Sequence, residues 1–137
     1  MVWDYGNIDW LAILVCVVIG QVFLTIWFLV LFGDPWAKAF GVADKKQHAK
    51  EIPGYTYAIG ALCVLMLSVG LAVLQQAFAV DSAAGGLQLG LVVALHFCIA
   101  TALPGYAFLK RWPAFFMAIG SQTALILILS LVLALWP

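Results

Sequence analysis

The sequence predicts an all-α, polytopic membrane protein, a single antiparallel bundle of four transmembrane helices over its 137 residues, with both termini outside. Two observations lead there. Four apolar stretches of about 25 residues each alternate with short polar connectors, and a helix rising about 1.5 Å per residue crosses a hydrocarbon core of about 30 Å in that length. All six basic residues, Lys38, Lys45, Lys46, Lys50, Lys110 and Arg111, lie in only two of the connectors. Composition agrees: 66% of positions are hydrophobic and 9% charged, against about 25% charged in soluble domains. One bundle exhausts the length, so any activity resides in the helices or on their surfaces.

The first span is expected from Ile8 to Phe32, with Asn7 or Asp9 as N-cap and Gly33-Asp34-Pro35 as its stop. Residues 33–52 form the long polar connector. Within it, Trp36, Phe40 and Ala43 recur at helical spacing with the lysines largely elsewhere, which suits either a helix lying on the inner leaflet or a solvated loop that enforces topology. His48 reads as an ordinary surface histidine. The second span runs from Pro53 to Ala79, since proline in a first turn lacks only an N–H that has no intrahelical partner. A tight turn over Val80 to Gly85 makes the second and third spans antiparallel neighbours. The third covers Gly86 to Leu109 and contains Pro104, which removes a hydrogen bond to the Ala100 carbonyl and should kink or loosen the inner end. The fourth extends from Pro113 to Trp136.

Because spans alternate in direction, the first and third connectors share a side, and the positive-inside rule assigns both to the cytoplasm. Tryptophans fit that orientation. Trp3, Trp10 and Trp136 fall at the outer interface and Trp36 and Trp112 at the inner one, the depth at which amphipathic rings collect. The charge asymmetry reports topology and gives no indication of nucleic-acid binding. Cys16, Cys63 and Cys98 all lie in apolar spans without Cys-x-x-Cys spacing, and behave as small hydrophobes. The N-terminus has no basic n-region, so the first span reads as a retained helix rather than a signal peptide.

Gly86, Gly90, Ala94, Cys98 and Ala102 recur at every fourth residue and form a ridge of small side chains along the third span. Such ridges let helix backbones approach closely in lipid, where packing replaces the hydrophobic drive. Ala12, Cys16 and Gly20 make a matching ridge on the first span, so a close crossing of spans one and three is expected. His96 is the one ionisable side chain deep in the bilayer, where such residues ordinarily mark a function or a partner. Gln21, Ser68, His96 and Gln122 fall within about 8 Å of one depth, counted at about 1.5 Å per residue. They form a candidate midplane polar layer, one group per span, able to hold a small ligand or proton if they converge. At 100° per residue His96 points about 160° away from Ala94 and Cys98. If the ridge faces the core, His96 faces lipid or another protomer; if His96 faces the core, the ridge is exposed. Either way one face wants a partner, a second copy or another membrane subunit.

No catalytic residues are assigned. Paired carboxylates, Gly-x-Ser-x-Gly, His-Glu-x-x-His and Walker loops are all missing from the sequence, and no acidic residue lies inside the spans. No cofactor or metal site is expected, although a lone histidine can serve as an axial ligand to haem or a pigment.

Phe28-Leu29-Val30-Leu31-Phe32 through Trp36 resembles Phe108-Leu109-Lys110-Arg111-Trp112-Pro113, each at the inner end of an inward-running helix, the pattern a duplicated hairpin would leave. The run Trp27-Phe28-Leu29-Val30-Leu31-Phe32-Gly33-Asp34-Pro35-Trp36, with Lys110-Arg111-Trp112-Pro113 and Gly120, resembles a family of small bacterial four-helix membrane proteins, domain-of-unknown-function family seventeen-sixty-one. Two positions depart from that pattern: Trp112 separates Arg111 from Pro113, and Gln122 stands where an aromatic is expected after the glycine. The resemblance implies the four-helix architecture and a multi-pass place in the bacterial inner membrane. Taken together, the expectation is a non-catalytic oligomeric or accessory membrane subunit, with a small transporter or channel around His96, or a single-histidine pigment or haem binder, as alternatives.

Overall fold

A computed structural model of the chain describes residues 5–137. Trp3, expected at the outer interface, lies outside the described residues. A short 3-10 turn, Tyr5–Asn7, leads into six helices among the described residues: α1 (Trp10–Leu31), α2 (Gly33–Phe40), α3 (Lys45–Glu51), α4 (Gly54–Ala77), α5 (Ala83–Phe108) and α6 (Trp112–Ala134). Four of them, α1, α4, α5 and α6, are long and apolar enough to cross a bilayer. The protein is an all-α membrane protein whose helices contact lipid. Large apolar side chains such as Leu14, Val18, Met66 and Phe97 stand on its outer surface, where hydrocarbon takes the place of water.

Side-chain capping accounts for the starts of three of the six helices. The Asp9 carboxylate accepts hydrogen bonds from the Leu11 and Ala12 amides at 2.9 and 3.2 Å and starts α1, satisfying donors that have no partner inside the helix. Asp44 does the same for α3 through Lys46 and Gln47, and Ser82 for α5 through Gly85. The helix of the third span begins at Ala83, within a turn of the start expected at about Gly86. Gly33-Asp34-Pro35 does not stop the chain. The break falls at Phe32, and Pro35 sits in the first turn of α2, where its missing N–H costs nothing. Gly41, with φ of 75°, ends α2 in the left-handed conformation natural to glycine. Helix α5 continues through Pro104 to Phe108.

Two segments depart from α-helical winding. Ile26–Leu31 closes α1 as a π-helix, and Ala94–Ile99 interrupts α5 in the same way. The second has a consequence for the small ridge. A π turn holds more residues than an α turn, so four-residue spacing ceases to return to one face. Gly86, Gly90 and Ala94 are buried, whereas Cys98 and Ala102 drift to half-buried positions.

The ridge also meets a different partner from the one expected. A Cβ on Gly86 would lie 2.5 Å from the Ala134 Cβ and 3.0 Å from the Ser130 carbonyl oxygen, and one on Gly90 would lie 3.2 Å from Leu127 Cδ2. The close crossing is thus between spans three and four. The first-span ridge packs elsewhere, with a Cβ on Gly20 falling 2.5 Å from Val64 of α4 and 3.3 Å from Leu125 of α6. Small residues prescribe close approach without naming the neighbour. Helix α6 is the shared axis, touching α1, α4 and α5, while α4 and α5 meet only sparingly. Its Leu125, Ile126 and Leu129 join Cys16, Val64, Leu71 and Ala94 in one core drawn from all four spans.

A polar clamp ties that axis to its neighbours near the end of the bundle that carries the termini. Gln75 Nε2 of α4 donates to the Ser130 carbonyl at 2.7 Å and to Ser130 Oγ at 3.0 Å. Ser130 Oγ donates in turn to the Gly86 carbonyl of α5 at 2.7 Å. At the same end the Trp136 indole N–H donates to Asp9 Oδ2 at 2.9 Å.

Two outcomes test this account. Gly86→Leu should lower stability by about 1–3 kcal/mol, the range for overpacking a close contact. Gly70→Ala, with nothing within 4 Å of its new Cβ, should be neutral or slightly stabilising; equilibrium unfolding from mixed micelles compares them. The Trp136 indole, with the Ala12 and Leu11 amides, holds the Asp9 carboxyl below its usual value near 3.8. A carboxyl with a lowered folded pKa stabilises above its unfolded pKa and loses that contribution as pH falls through the folded one. Tryptophan emission should therefore change below about pH 4, and Asp9→Asn, which keeps an N-cap acceptor, should remove that acid-side change.

Candidate functional site

Four residues of similar depth were candidates for a shared polar layer, and the structure sends them to three different environments. Ser68 is fully buried and donates back to the Val64 carbonyl of its own helix at 2.8 Å. His96 is exposed on the outside of α5, its Nδ1 3.2 Å from the Val92 carbonyl one turn earlier. Gln122 is exposed on α6. Gln21 alone faces a cavity. The four do not converge, because a common depth leaves the direction around each helix free.

The cavity that Gln21 lines is a cleft of about 540 Å³ between α1 and α4, at the end carrying the long connector. Its floor forms where Gln21 lies over Gly60, with the amide nitrogen 3.6 Å and the amide oxygen 3.9 Å from where a glycine Cβ would be. Any larger residue at 60 would occupy the space. Gln21 Nε2 is buried without a hydrogen-bond partner among the described residues. One turn on, Thr25 Oγ1 donates to the Gln21 carbonyl at 2.8 Å.

The connector roofs this cleft through an aromatic cluster. Trp36 of α2 lies 6.4 Å from Phe28 of α1, 5.9 Å from Phe40 and 5.8 Å from His48 of α3, centroid to centroid. A Lys45–Asp34 ion pair latches α3 to α2. Residues 36–51 are therefore helical and not a loop, though not one continuous helix. They are two short helices folded at Gly41 and held by Trp36, with Lys46 and His48 at the cleft mouth. Of the other basic residues, Lys38, Lys50, Lys110 and Arg111 are exposed at this same end. The cleft thus combines apolar walls, an amide donor at depth and cations at its mouth.

With that geometry in place, the chain can be compared with known families. Residues 11–134 match the model of a family described as protein of unknown function (DUF1761). The chain belongs to that family. No curated protein and no solved structure matches it. In this DUF1761 protein some of the residues carrying the family resemblance meet in space, Trp27 with Gly120 and Phe28 with Trp36. Trp27 packs at a tilt against Phe23 and Phe32, centroids 5.6 and 4.6 Å away, and its ring edge lies 3.2 Å from where Gly120 would carry a Cβ. Gly120 is the seat of Trp27, which accounts for a glycine in α6 at that height. Trp112 packs edge-on against Phe115 at 6.1 Å and so belongs to the packing of α6.

Gln75 and Ser130, the polar pair that joins three spans, went unnoticed in the sequence. Their signal was available: two hydrogen-bonding residues at matching distance from the same end of spans that run parallel. Since no hydrogen bond joins Ser68 to His96 or Gln122 among the described residues, combining Ser68→Ala with His96→Leu or Gln122→Leu should change stability additively within about 0.5 kcal/mol. Coupling well beyond that in mixed-micelle unfolding would place the side chains together after all.

Proposed function

We propose that the protein is a non-catalytic membrane subunit, acting as one protomer of an oligomer or as an accessory chain of a larger complex. It sits in the bacterial inner membrane with both termini outside and the basic connectors in the cytoplasm. The observation that carries the reading is the outward His96. The ridge residues Gly86, Gly90 and Ala94 face the core, so the imidazole stands on the outer surface midway along α5, beside exposed Leu95 and Phe97. Its Nδ1 is engaged by the Val92 carbonyl, which leaves Nε2 to accept a hydrogen bond from outside the protomer. A polar ring at that depth is costly against hydrocarbon and favourable against a partner helix. Gln122 adds an exposed amide on α6. The transporter alternative needs all four midplane side chains in one cavity, and their dispersal gives it no support. Orientation rests on six basic residues at one end of the bundle.

Native mass spectrometry of gently extracted protein is the test. The expected result is a multimer of the chain, or the chain with a second polypeptide. His96→Leu should weaken that assembly by about threefold to tenfold, the worth of one interhelical hydrogen bond in a membrane. A bare monomer in several mild detergents would overturn the reading.

A further inference from the structure

We propose that the cleft between α1 and α4 binds one anionic phospholipid, drawn from the leaflet on the connector side. This proposal does not rest on the oligomer reading, because it concerns a different face of the bundle. Four observations lead to it.

Position comes first. The cleft mouth lies beside α2 and α3, at the ends of two spans where headgroups gather, and its floor at Gln21 lies within the hydrocarbon depth, so an occupant spans polar and apolar zones. Size is suitable, because about 540 Å³ falls inside the range of about 300–1,000 Å³ typical of small-molecule sites.

Charge then selects the headgroup. Each acidic side chain of the connector is already engaged: Asp34 with Lys45, Asp44 with the first amides of α3, and Glu51 with the Gln47 amide at 2.6 Å. Lys46 lines the mouth and has no ion-pair partner among the described residues. Lys45 and Lys46 line the cleft and no acidic side chain does, so an anion meets favourable charge at the mouth.

Polar chemistry inside the cleft completes the match. The Gln21 amide donor is buried and unsatisfied among the described residues, a costly state that an acceptor in the cavity would relieve. An ester carbonyl of a glycerophospholipid supplies such an acceptor once the lipid's glycerol backbone enters the cleft below its mouth. The apolar walls, Leu24, Leu29 and Ile52 among them, suit the start of an acyl chain. A free phosphate ester offers the charge and neither of the other two features.

The experiment is lipid titration followed by native mass spectrometry. The full chain in mild detergent is offered phosphatidylglycerol, phosphatidylcholine with the same acyl chains, or glycerol phosphate. Phosphatidylglycerol should bind one per chain and in preference to phosphatidylcholine. Lys46→Gln, a change at an exposed position, should weaken its binding about fivefold, the worth of one lysine near an anionic surface. Gly60→Leu, whose side chain fills the floor, should abolish it. Both variants are checked for an unchanged unfolding transition, and Lys46→Gln decides alone if Gly60→Leu does not fold. Equal binding of the two lipids, undiminished binding by folded Lys46→Gln, or comparable binding of glycerol phosphate would each overturn the proposal, the last by making the ligand a soluble phosphate.

Discussion

The Ser130 hydroxyl and carbonyl hold three helices at one point, and the bundle is organised around that point. In lipid there is no hydrophobic force pressing helices together, so association depends on close packing and on hydrogen bonds between spans. Ser130 combines the two. Its hydroxyl donates to the Gly86 carbonyl while it and its carbonyl accept from Gln75. The donation to Gly86 is geometrically possible only because a glycine lets α5 come within hydrogen-bonding reach of α6. A helix at that distance from α6 brings Ala94 into the core with Leu125, Ile126 and Leu129. The clamp therefore fixes the azimuth of α5, and with it the direction in which His96 points.

At the opposite end, aromatic rings take over the role that hydrogen bonds play near the termini. The π-wound end of α1 presents Trp27 to Gly120 on one side and Phe28 to Trp36 on another. Trp27 thus anchors α1 to the axis helix, while Trp36 draws the connector back over the gap between α1 and α4. Because α1 and α4 contact each other through Gly20 and Val64 higher up, this cleft opens below that contact. The cleft is the space left when two helices are pinned at mid-height and bridged at their ends.

Much of this architecture was legible in the sequence, for reasons that also explain what was not. Hydropathy over a window as long as the bilayer is thick is set by composition, so the four spans could be placed to within a few residues. Charge segregation and helix alternation placed all six basic residues at one end without any knowledge of packing. Gly86, Gly90 and Ala94 were recognisable as a contact ridge because four-residue periodicity fixes a helix face. Their neighbour was not, since glycine is equally permissive towards any partner, and the expected crossing with the first span gave way to one with the fourth. The polar layer failed for a related reason. Depth follows from counting residues, whereas the direction each of Gln21, Ser68, His96 and Gln122 takes depends on how its helix is rotated. The π segments Ile26–Leu31 and Ala94–Ile99 carry neither glycine nor proline to announce them, and the fan of Cys98 and Ala102 away from the ridge follows from one of them.

The position of the axis helix has a consequence for biosynthesis. Spans enter the membrane in chain order, and the helix that touches the other three is made after all of them. Until it arrives, α4 carries the Gln75 amide into the bilayer without its Ser130 acceptors, and α5 presents its glycine face with no surface to meet it. Before α6 is made, the pairing of α1 with α4 is the main contact among the three earlier spans. A chain interrupted before Trp112 would keep the α1–α4 pairing but leave the Gln75 amide in hydrocarbon without its Ser130 acceptors.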